Sequence, residues 1–120
     1  MDKSAKAYVT CALWSSNDES TPQGGEPLDA NFTADDIALE TLEQMKSDCA
    51  RFQAENTEDI ASDLERAGHD YWLTRCSHGS GFFDGDWADD VGARLTAAAH
   101  RYGEFTLYVG DDGRIHGCRG

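Results

Sequence analysis

Two three-residue words in this chain mirror each other, Cys76-Ser77-His78 and His116-Gly117-Cys118. In strands, residues i and i+2 share a face, so each word would set a thiol beside an imidazole. If the two segments paired, four zinc-type ligands would converge. Chain order does not demand that pairing, and C-x-H is not a usual zinc knuckle. The expectation is a protein without stoichiometric zinc, with no metal site and no cofactor. Asp84-Gly85-Asp86 followed by Asp89 and Asp90 hints at a calcium loop, but Leu95 stands at the twelfth position, where a bidentate Glu is needed. Ser77 and Ser80 flank His78 without a G-x-S-x-G elbow. No nucleophile stands out, and the chain reads as not an enzyme.

His78 also sits with Arg75, Gly79 and Gly81, and a glycine loop before a helix can cradle a phosphate. Here Asp84, Asp86, Asp89 and Asp90 crowd the same helix start and would repel one. The favoured role for Arg75 and His78 is therefore to hydrogen-bond Asp84 and Asp86 and brace the loop.

Carboxylates form the other candidate site. The formal net charge is −13 over 120 residues, and it is unevenly placed. Residues 18–65 carry 14 acids against Lys46 and Arg51, a net of 14 − 2 = 12 negative charges. Such a surface repels nucleic acid and anionic membranes and attracts basic protein surfaces. Asp35, Asp36, Glu40, Glu43, Asp48, Glu55, Glu58, Asp59 and Asp63 are the candidate partner-binding row. Carboxylates on a rigid helix can stand in for phosphates, from which much of the affinity of nucleic-acid channels comes. The plainer reading is a solvated helix face that keeps the protein soluble.

The elements that must position these groups follow from periodicity. The length suits a single domain, 1–120, with residues 15–32 an acidic flexible loop. Ala7–Trp14 and Tyr71–Cys76 have strand composition. Thr33 and Asp36 form a capping pair, with Phe32 and Ile37 at staple spacing. Ala38, Leu42, Met45, Cys49 and Phe52 then define one buried helical stripe, with Asp36, Glu40, Glu43 and Asp48 off it in water. Thr57 caps a shorter helix, with Ile60, Leu64 and Ala67 inward and Gly68 as its stop. Phe82 or Phe83 should plug the core edge. Asp84 or Asp86 caps a third helix from near Trp87, with Val91, Leu95, Ala98 and Tyr102 inward and Gly103 at its end. Phe105–Val109 is a strand, Gly110–Gly113 a hairpin turn and Arg114–Cys118 the return strand. The expected fold is α+β, in the order β-α-α-β-α-β-β. A small, mainly antiparallel sheet of three to four strands should carry about three helices. The cysteines at 11, 49, 76 and 118 read as free thiols of a reducing compartment. No stretch is long or apolar enough to span a membrane, and none looks like a signal peptide.

The run Ala67-Gly-His-Asp-Tyr-Trp-Leu-Thr-Arg75, with His78-Gly-Ser-Gly-Phe82, Asp84 and Leu107-Tyr-Val-Gly-Asp-Asp-Gly113, resembles a family of small proteins from bacteriophages and other mobile elements. The family pattern is G-H-D-F-W-L-T-R-N-G-H-G-A-G-F-W-D, and this chain departs from it at Cys76, Ser77 and Phe83. The likeness spans residues 58–115 and implies a mobile-element origin. In kind, a small and very acidic protein of that origin resembles the DNA-mimicking anti-CRISPR and anti-restriction proteins. The expected function is inhibition of a host nucleic-acid-binding defence complex in the bacterial cytoplasm, a CRISPR effector first and a restriction enzyme second. Its partner would be a basic protein surface, with no direct nucleic-acid binding and no membrane. The alternatives are a small-ligand or metal-binding module using the Arg75–His78–Asp84 loop, and an accessory or structural phage protein.

Overall fold

The structure, a computed structural model, describes residues 1–20, 25–76, 81–82 and 87–119. It opens with helix α1, Lys3–Ser15, where composition predicts a strand over Ala7–Trp14. Asp2 caps this helix, accepting from the Ala5 amide at 2.9 Å. The buried residues Ser4, Tyr8 and Ala12, and Ala5, Val9 and Leu13, recur every four positions. That is a helical period, and it outweighs the β-branched and aromatic content that suggests a strand.

The stretch 15–32 contains β1 (Asn17–Asp18) and β2 (Glu26–Pro27), paired antiparallel, and a 3-10 turn at Leu28–Ala30. Leu28 is fully buried, so the described part of this loop is tied to the core. Thr33 and Asp36 form the expected capping pair, the Thr33 amide donating to Asp36 Oδ2 at 2.8 Å. They enclose only a 3-10 turn, Ala34–Asp36. The chain then extends, and the Ala38 amide donates to the Ile115 carbonyl at 2.8 Å. Helix α2, Leu39–Glu55, starts after that detour. Met45, Cys49 and Phe52 of the expected stripe are buried, with Leu42 half-buried beside them.

Helix α3 is short, Thr57–Ile60. The predicted helix from Thr57 to Gly68 is broken there, because Asp63 caps a new one by accepting from the Arg66 amide at 3.0 Å. Helix α4 then runs Leu64–Arg75 and absorbs the predicted strand at Tyr71–Cys76. Leu64 is exposed rather than inward. Asp70 to Arg75 are all buried. A helix buried on every side has the same continuous apolar run as an inner strand, so composition does not separate the two. Gly68 does not stop a helix. It lies inside α4 where α1 crosses, and a Cβ there would meet the Ser4 carbonyl oxygen at 1.9 Å.

Helix α5, Asp89–His100, buries Leu95 and Ala98 as expected, and Gly103 follows it with φ +74°. Strands β3, Phe105–Val109, and β4, Ile115–Arg119, form the predicted hairpin in the register Leu107↔Gly117. The fold is α+β. Among the described residues, four strands divide into two antiparallel ribbons, β1–β2 and β3–β4, in place of one sheet.

Aromatic rings fill the space between helices. Phe52 of α2 stacks on Tyr71 of α4 at 4.1 Å, and Tyr8 of α1 meets Tyr71 and Trp72 at 5.2 and 5.3 Å. Phe82 is the predicted plug, 1% exposed and held by its amide donating to Thr74 Oγ1 at 3.1 Å. Phe83 lies outside the described residues.

Candidate functional site

Arg75 ends α4 pointing inward. Its Nη1 donates to Asp48 Oδ2 at 2.8 Å and to the Tyr8 hydroxyl at 2.9 Å. Its Nε donates to the Gly103 carbonyl at 2.7 Å, and Nη2 to the Tyr102 carbonyl at 3.3 Å. The guanidinium carbon lies 5.1 Å from the Phe105 ring centre. One side chain thus joins α1, α2, α4 and the α5–β3 connection. A buried charge is tolerable only when paired and hydrogen-bonded, and Arg75 is paired with Asp48 and donates from all three nitrogens. Burial pushes the Tyr8 hydroxyl well above the usual tyrosine range, with Arg75 opposing, so Tyr8 stays neutral.

Two sequence expectations change as a result. Asp48 is not in water: it is fully buried, and its Oδ1 accepts from Gln44 at 2.8 Å and Arg119 at 3.0 Å. A carboxylate so enclosed cannot touch a partner. Arg75 is a core residue, and the expected brace to Asp84 and Asp86 through His78 falls on positions outside the described residues. Nothing in the spacing of Asp48, 27 residues before Arg75, announces their meeting.

The other expected carboxylates are on or near the surface in two groups. Asp35 and Asp36 lie in the 3-10 turn, and Glu40 and Glu43 on the outer side of α2. Asp35 and Glu40 are exposed and make no hydrogen bond or ion pair among the described residues, while Glu43 reaches Lys46 at 3.6 Å. Glu55, Glu58, Asp59 and Asp63 gather around α3. Several of these have local duties. Glu55 accepts from the Tyr102 hydroxyl at 2.5 Å. Asp59 takes both ends of the Arg94 fork, at 2.7 and 3.0 Å, which ties α3 to α5 and holds the Asp59 carboxyl below the usual range. Asp63 caps α4. The structure therefore separates the row into two acidic ends of α2. Exposed Ser47, Ala50, Arg51 and Ala54 lie between them, Arg51 over the Tyr102 ring.

No group of metal-binding side chains occurs among the described residues. Cys76 closes α4 and its thiol donates to the Phe105 carbonyl at 3.3 Å, while His116 reaches Asp112 at 3.0 Å. His78 lies outside the described residues. Cys11, Cys49, Cys76 and Cys118 are free thiols.

Sequence reasoning passes over one other region. A groove of about 730 Å³ opens between α1 and the start of α4, with Lys3, Lys6, Trp14, Arg66 and His69 on its walls. A strand assignment for Ala7–Trp14 hides it, since only a helix sets Lys3, Lys6 and Thr10 along one side. No family model, curated protein or solved structure matches the chain.

Proposed function

We propose that this chain is a non-enzymatic inhibitor that docks an acidic face onto the basic, nucleic-acid-binding surface of a host protein complex. One observation carries the reading. Asp35, Glu40 and Glu43 stand outward on a turn and helix whose inner side is clamped by the Asp48–Arg75 pair. Carboxylates held rigidly lose little entropy on docking, so a basic channel can accept them in place of phosphates.

The second acidic group begins at Glu55, fifteen residues after Glu40, or about 22 Å along the helix axis at the α-helical rise. The net charge of −13 argues against direct nucleic-acid binding. No described helix is long and apolar enough to cross a membrane. The resemblance to mobile-element proteins favours a defence complex of the bacterial cytoplasm, a CRISPR effector before a restriction enzyme. A ligand or metal module at the Arg75–His78–Asp84 loop is less favoured, because Arg75 is committed to the core. An accessory or structural phage role is what remains if no inhibition exists.

The test is DNA cleavage by CRISPR nucleases and restriction enzymes titrated with the protein at low and high salt. Inhibition should weaken as salt rises. Glu40→Lys with Glu43→Lys should lower potency by about tenfold or more, as expected for rim charges facing a basic surface, with the melting temperature unchanged. A folded double mutant that inhibits as well as the parent would refute mimicry. Absence of inhibition in both enzyme classes would refute the defence target.

A further inference from the structure

On a chain this acidic, the groove between α1 and α4 is an exception. Lys3 and Lys6, one helical turn apart, line its α1 side, and Arg66 and His69, also one turn apart, line its α4 side. Trp14 closes one end, with its indole 45% exposed and 6.1 Å from the His69 ring at a 30° tilt.

His69 is held from behind. Its Nδ1 lies 3.1 Å from Oδ1 of Asp70, which is 1% exposed and whose Oδ2 accepts from Trp87 Nε1 at 2.8 Å. With Nδ1 engaged by this carboxyl group, Nε2 is the ring nitrogen left for a ligand. A buried carboxyl group that holds the ring of a groove histidine in place is the support expected behind a binding group. Glu65, in the first turn of α4, adds an acceptor to the same groove.

We propose that this groove binds a nucleoside phosphate. Each part of that ligand meets a matching group. The phosphate meets Lys3 and Lys6, which supply charge-assisted donors. The ribose hydroxyls donate to Glu65, the pairing that carboxylates make with ribose in nucleotide sites. The base lies on the exposed face of Trp14, as bases do on aromatic platforms. A bare phosphate would leave Trp14 and Glu65 unused, and an uncharged nucleoside would leave the cations unused. Chemistry on the ligand is not part of the proposal. Cys11, at the groove wall, has its thiol pushed up to about 12 by burial and by nearby Asp70, so it is no nucleophile. The site is independent of the acidic docking face, and none of its residues belongs to that face except Asp63, which the α4 cap already occupies.

Calorimetric titration of the full chain with adenosine monophosphate, adenosine and inorganic phosphate tests this. The monophosphate should bind saturably and about tenfold or more tighter than either fragment. Lys6→Glu should weaken it by about tenfold or more without moving the melting temperature, and Trp14→Ala should abolish its advantage over phosphate. The proposal is overturned if the monophosphate does not bind saturably. It is equally overturned if the monophosphate binds no tighter than its fragments, or binds a folded Lys6→Glu protein as well as the parent.

Discussion

Arg75 Nη1 and Asp48 Oδ2 are 2.8 Å apart, and neither side chain reaches water. Helices α2 and α4 are locked together by charge at the centre of an aromatic core. Asp48→Leu should cost about 3–5 kcal/mol in urea unfolding, because it strands the buried Arg75 charge, and Arg75→Met should cost less on that account, because Arg119 still pairs with Asp48. The double variant strands none, so it should cost clearly less than the sum of the singles. Strict additivity would show that the two residues do not act as a pair. Arg119→Ala should cost about 1 kcal/mol or less, since Arg119 is half-exposed and its pairing is weakened by solvent.

Gly68 sets how closely α1 and α4 approach. In an ordinary helix interior, Gly→Ala gains up to about 1 kcal/mol. Here a new Cβ would lie 1.9 Å from the Ser4 carbonyl oxygen, which is backbone and cannot swing aside. Gly68→Ala should therefore destabilise by about 1–3 kcal/mol or more, the usual cost of overpacking. A melting temperature at or above the parent's would mean the helices do not cross there.

Tyr71 is buried, and its hydroxyl has no hydrogen-bond partner among the described residues. Burial raises its ionisation far above the tyrosine range, with the neighbouring Tyr8 adding to the effect. Removing an unpartnered buried hydroxyl leaves no other group stranded. Tyr71→Phe should thus be neutral or stabilising, within about 1 kcal/mol, while the ring stack on Phe52 survives. A loss above that range in chemical denaturation would reveal a partner for the hydroxyl.

The Asp59–Arg94 fork should appear in the acid limb of stability. Hydrogen bonds from Arg94 lower the Asp59 carboxyl relative to its unfolded value, which is about 3.9. The folded state then holds fewer protons than the unfolded one. Its contribution is fully present above that unfolded value and fades as pH falls through the lower folded value. Asp59→Asn should flatten the drop in melting temperature below about pH 4 and leave the shape of the curve above it alone. An unchanged acid limb would show that the fork adds nothing to stability.

Much of the C-terminal half is legible in the residues themselves. The α5 stripe, the Phe105–Val109 strand and the Gly110–Gly113 turn are local signals, and local signals survive when the surrounding fold agrees with them. The capping pair Thr33–Asp36 and the acidic surface are legible for the same reason. What the sequence determined alone is therefore the α+β class, the hairpin, the Thr33–Asp36 capping pair and the sign of the outer charge. Tertiary structure decided the rest. Ala7–Trp14 and Tyr71–Cys76 carry strand-like residues, but they become helices because burial on one or all sides rewards a period near four once they pack together. Asp48 sits among surface acids in the sequence and turns inward only because Arg75 of α4 and Arg119 of β4 converge on it from separate elements. The Lys3–Lys6 and Arg66–His69 walls face each other only because Gly68 lets two backbones nearly touch. Each of these relations joins residues far apart along the chain, and free energy from burial and pairing exists only after the chain has brought them together.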